Sequence, residues 1–145
     1  MALYQYTLTV PAGTSSSNPI EKKLLIKEDV IYMVTIRIPP GHFANTGLQI
    51  CYGLDIISPA RTEVLYEGTK SDVEEWITGD NEIVYDYPYF ELPEKPGYIT
   101  FKAYNNDQSY DHSFIIRIIA LPKWIVFWSK IVSTFVEMLG KIIGL

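Results

Sequence analysis

Three tyrosines at alternate positions, Tyr85, Tyr87 and Tyr89, are the most suggestive side chains in the sequence. On one strand such a row projects from one face. Exposed, it would stack on sugar rings or form an interface hot spot. At the edge of a core, with hydroxyls outward, it would do neither. The oxygens of Asp107 and Asp111 beside His112, and of Asp80 and Glu82 elsewhere, are of the kind that bind calcium at loop tips. Their spacing fits no EF-hand loop, and polar loops are normally solvated. His42 follows Pro-Pro-Gly and reads as a surface loop residue. Cys51 lies in an apolar run and reads as a buried small hydrophobe.

The catalytic signatures are missing. Gly13-Thr14-Ser15-Ser16-Ser17 has neither the lysine nor the following helix of a phosphate-binding loop. No G-x-S-x-G elbow and no H-E-x-x-H pair occurs. Glu74 and Glu75 are adjacent, so on a helix or strand they do not face each other as an acid–base pair. One cysteine excludes an intramolecular disulfide and any multi-cysteine metal site. The expectation is a protein that is not an enzyme and uses no metal or other cofactor.

These side chains are positioned by short strands. The chain has 145 residues, enough for one domain. It is 48% hydrophobic and 20% charged, the composition of a folded protein. A net charge of −5 argues against a general nucleic-acid partner. Leu3, Gln5, Thr7 and Thr9 alternate with Tyr4, Tyr6, Leu8 and Val10, the period of a half-buried strand. A second strand is expected over 20–27. In 30–38, Val30, Tyr32, Val34, Ile36 and Ile38 share one face, and Ile31, Met33, Thr35 and Arg37 the other. Pro39-Pro40-Gly41 ends it. Further strands are expected at 47–53, 61–67, 82–91, 97–104 and 112–121. The polar stretch 68–81 reads as a long loop, with a helical turn near Val73-Glu74-Glu75-Trp76. About eight strands at even spacing predict a mainly β fold, an eight-stranded jelly-roll-like β-sandwich over residues 1–121.

Residues 122–145 form the second element, a C-terminal amphipathic α-helix. Pro122 suits its first turn. At 100° per residue, lysines, serines, Thr134, Glu137 and two glycines share one side. Trp124, Phe127, Trp128, Ile131, Phe135, Met138 and Ile142 lead the other, an apolar arc about half the circumference wide. Lys130, Glu137 and Lys141 argue against a simple membrane span. Three burials are open: on the domain's own sandwich, against copies of itself, or in a membrane surface. Residues 1–121 carry nine Lys and Arg against sixteen Asp and Glu, whereas 122–145 carry three against one. The basic tail suits anionic lipid or a neighbour's acidic body. The N-terminus has no basic or long apolar region and reads as a strand, not a signal peptide.

Val10-Pro11-Ala12-Gly13-Thr14 with Asn18-Pro19, Ile36-Arg37-Ile38-Pro39-Pro40-Gly41, and Leu121-Pro122-Lys123 before an apolar helix resemble small β-sandwich proteins of phages and archaeal viruses. The resemblance covers the full length through short motifs of turn residues. It implies a virion structural role, as a capsid-associated, vertex, spike or fibre component made in the host cytoplasm. The implied partners are copies of itself and other virion proteins, and no catalytic residue is carried over. A lectin-like glycan-binding module and a peripheral membrane protein are the alternatives.

Overall fold

The computed structural model describes residues 1–58 and 76–143. Nine strands and one helix are present among them: β1 (Ala2–Val10), β2 (Ile20–Ile26), β3 (Val30–Ile38), β4 (Thr46–Tyr52), β5 (Asp55–Ser58), β6 (Glu82–Asp86), β7 (Phe90–Glu91), β8 (Gly97–Asn105), β9 (His112–Leu121) and α1 (Lys123–Ile142). The strands form two antiparallel sheets. One has the order β1-β9-β3-β6, with β7 also paired to β3, and the other the order β2-β8-β4-β5.

The pairings are nested. β1 pairs β9, β2 pairs β8, β3 pairs β6 and β7, and β4 pairs β5. The ladders β3·β9 and β4·β8 then join these pairs side by side. Alternation carries the core between the sheets. Leu8 and Val10 of β1, Ile99, Phe101 and Ala103 of β8, and Phe114, Ile116, Ile118 and Ala120 of β9 belong to one buried cluster, with Tyr4 and Tyr6 packed against it. Tyr6 of one sheet meets Phe101 of the other at 5.5 Å between ring centroids. A mainly β, sandwich-like body followed by a C-terminal helix is therefore the architecture.

Three expectations are corrected. The count is nine strands among the described residues, not eight, partly because β5 carries too short an alternation to stand out. The expected strand 82–91 is two strands, β6 and β7. Pro88 has no N–H for the ladder and Tyr89 takes a positive φ of 48°, so the pairing with β3 lapses between them. In β3, Ile31 is in the core and Tyr32 is not. A register shift between Ile31 and Met33 against β9 changes which side chains face inwards. The expected strand 61–67 and most of the loop 68–81 lie outside the described residues.

Close approach fixes one glycine. A Cβ on Gly47 would stand 2.2 Å from the Tyr104 ring, which crosses the neighbouring strand there. Trp76 meets Tyr104 edge-on at 4.9 Å, and Ile77 exchanges both backbone hydrogen bonds with Leu48.

Candidate functional site

The helix begins where β9 ends. Pro122 is its N-cap, and no side chain of that residue can satisfy the first N–H groups. A distant residue does so. The Lys123 N–H donates to the Asp29 carboxylate at 2.9 Å, and negative charge at this end also suits the helix dipole. Lys123 Nζ meets Glu91 at 2.6 Å, and Lys95 meets Asp29 at 3.2 Å. The Lys123 N–H, and then Lys95, hold the Asp29 carboxyl below its ordinary value. Glu91 holds the Lys123 ammonium above its own. Asp29, Glu91 and Lys95 thus clamp the helix root, a role that sequence reasoning missed. A carboxylate 94 residues before the N-terminus it caps leaves no local signal.

Beyond its root, α1 stands apart from the sandwich. None of its 20 residues is buried. Trp124, Phe127, Trp128, Ile131, Phe135, Met138 and Ile142 are all exposed, from 41% at Ile131 to 77% at Ile142. The helix does not cover its own domain, so the first of the three burials is not realised among the described residues. Between the root and the sheet lies a groove of about 440 Å³, lined by Val30, Tyr89, Glu91, Lys123, Val126, Phe127 and Lys130. No helix among the described residues is long and apolar enough to cross a membrane.

The tyrosines fall into two places. Tyr85 stands on β6, exposed and opposite Thr35 of β3. Tyr87 and Tyr89 lie in the break before β7 and stack on each other at 6.3 Å. Tyr32 meets both edge-on, at 6.1 and 5.2 Å. The row on one continuous strand is thus replaced by a three-ring cluster that includes Tyr32 and leaves Tyr85 apart. A hydrogen bond with Tyr32 keeps the Tyr89 phenol protonated above its ordinary range. The cluster offers flat apolar surface with polar edges, suited to stacking.

His42 departs from the surface position expected of it. His42 is 1% exposed. Its Nε2–H donates to the Ser113 carbonyl at 3.0 Å, which leaves Nδ1 to accept from the Thr46 hydroxyl at 2.6 Å. The His112 ring lies 4.7 Å from it and bonds Asp107 at 2.9 Å. Burial, then His112, lower the pKa of His42. Asp107 also accepts from the Ser109 and Tyr110 N–H groups, and its pKa is lowered by the first of these and by His112. Gly41, at φ 104°, turns its own N–H and that of His42 onto the Asp80 carboxylate, at 2.8 and 2.9 Å. Asp111 accepts from the Ala12 N–H.

The His42–Thr46 pair has the reach of a base and nucleophile. Thr46 is fully buried, however, and substrate has no access to its hydroxyl. The cluster clasps three loops together. The carboxylates of Asp80, Glu82, Asp107 and Asp111 are already engaged with backbone N–H groups. No group of three His, Cys, Asp or Glu side chains suited to a metal ion is present among the described residues. Cys51 is buried as expected, and burial pushes its thiol pKa up.

Comparison with family models, curated proteins and solved structures finds no match to this chain.

Proposed function

We propose that this chain is a non-enzymatic structural subunit of a virus particle, a capsid-associated, vertex, spike or fibre component, which self-associates through α1. The observation that carries the reading is a clamped helix whose apolar face beyond its first turn is in water. At about 1.5–3 kcal/mol for each large apolar side chain fully buried, such a face favours strong association. Particles hold many identical copies, and these supply identical faces to meet it.

The strand pairing supports the same reading. With β6 and β7 counted as one interrupted strand, the four nested pairs 1·9, 2·8, 3·6/7 and 4·5 support a jelly-roll reading of the sandwich. That fold recurs in capsid and lectin proteins. The step from fold to particle is analogy, joined to the resemblance of the turn motifs.

Light scattering in detergent-free buffer tests the assembly role. The full chain is expected to be a defined oligomer, and Ile131→Asp and Phe135→Asp monomers. A monomeric wild type, or variants that assemble normally, would refute it. Antibodies to the sandwich should also label purified particles of the virus that encodes the chain. Unlabelled particles would remove the virion part of the reading.

One observation favours a second reading, glycan binding. The stacked, exposed Tyr87 and Tyr89 form a platform of the kind that sugar rings cover. Saccharide titrations that shift Tyr87 and Tyr89 resonances would move this reading ahead.

A further inference from the structure

We infer that the apolar face of α1 closes a bundle of at least three copies of this chain. The inference rests on the self-association proposed above and adds its order and its seam. Trp124, Trp128, Ile131, Phe135, Met138 and Ile142 follow one another at alternating steps of four and three residues. That is the a/d pattern of helices packed knobs-into-holes. The observed α1 is continuous through all six positions. A furrow of about 420 Å³ runs along it between Phe127, Lys130, Ile131, Thr134, Phe135 and Met138. These residues lie three and four apart, the spacing of a hole that accepts a neighbour's side chain.

The order of the bundle follows from a third stripe. In two-stranded coiled coils the positions following d are usually charged and lie at the edge of the seam. Here they are Ile125, Val132 and Leu139, and Val132 and Leu139 are exposed in the single chain. A pair of helices would leave that stripe in water. A bundle in which each helix has two neighbours covers it, because a, d and one flanking stripe then face the core. No charged residue occupies any of the three stripes. Lys123, Lys130, Glu137 and Lys141 lie off them.

The area is sufficient. Ten large apolar side chains of α1 are exposed. At about 100 Å² each, roughly half of a buried aromatic side chain, the eight of them on the three stripes offer about 800 Å² per chain. Three copies closing one bundle then bury about 2,400 Å² together, against about 1,600 Å² for a standard two-partner interface.

Light scattering of three full-length chains tests the inference: wild type, a Val132→Lys/Leu139→Lys double variant, and Ser133→Lys on the opposite side. Since α1 has no buried residue, the denaturant midpoint of the sandwich, followed by far-ultraviolet circular dichroism of its strands, should show it folded in all three. The expected mass is at least threefold the 16.6 kDa of one chain for wild type and for Ser133→Lys. The double variant should fall to a dimer or monomer. A wild-type dimer, or a double variant of unchanged mass, would overturn the bundle and leave self-association standing. A wild-type monomer overturns both. If that monomer also sediments with vesicles of phosphatidylcholine and phosphatidylserine, the face belongs to lipid.

Discussion

Buried core residues run from Leu8 to Leu121, all on the strands or their connections, while the following 20 residues of α1 bury nothing. The strands themselves and the helix are nonetheless similarly rich in large apolar side chains. In the sandwich, period two sends those side chains between the sheets. In the helix, period 3.6 gathers them on one side, and the sandwich does not meet that side. A lone helix of this length is marginal in water, since most helical stability in proteins comes from packing. The comparison teaches that apolar content alone does not identify a core. What matters is whether the chain's own geometry returns to cover it.

Core truncation should break the comparison on the sandwich side with the largest effect. Phe101 is fully buried and touches Tyr6 of the opposite sheet. Phe101→Ala is expected to cost about 3–5 kcal/mol in denaturant unfolding. A loss below about 1 kcal/mol would mean that the sheets do not share a tight core there.

Acid should act next, and on the sandwich alone. The pKa of His42 is lowered in the fold, so the folded state binds fewer protons there than the unfolded chain. Its contribution is complete above the ordinary histidine pKa of about 6.5 and is lost as pH falls through the lower folded value. Melting temperature should therefore fall between about pH 7 and pH 5. His42→Gln should lower it at neutral pH and flatten that part of the slope. An unchanged slope in the variant would remove His42 as its source.

The smallest effect is expected on the helix. In chains dilute enough to be monomeric, Phe135→Asp should change sandwich stability by no more than about 0.5 kcal/mol, as for a surface site. A loss of several kcal/mol would place Phe135 against its own domain and dissolve the distinction between the two regions.

Much of the sandwich is legible in the sequence because alternation is local. β1 and β8 keep strict period two, and Tyr4, Tyr6, Leu8 and Val10, which the alternation places on one face, all turn inwards. The helix is legible for the same reason at its own period. What escapes is set by partners far along the chain. The inward turn of Ile31 depends on a shifted register with β9. The burial of His42 depends on a carbonyl 71 residues away. The break at Pro88 is visible as a proline, but the alternation of Tyr85, Tyr87 and Tyr89 runs straight through it. For the candidate site, the apolar face of α1 could be read residue by residue, whereas its clamp at Asp29 and Glu91 could not.

The nested pairing has a consequence for synthesis. β1 pairs β9, so Ala2 waits for Ala120 before its ladder can form. Long-range ladders of this kind close slowly and late. During translation the first strand leaves the ribosome long before its partner, and α1 emerges only after every strand. The apolar face of α1 thus follows the last of the described strands. Because α1 starts only two residues after β9, the sandwich can close only when the root of the helix is free as well.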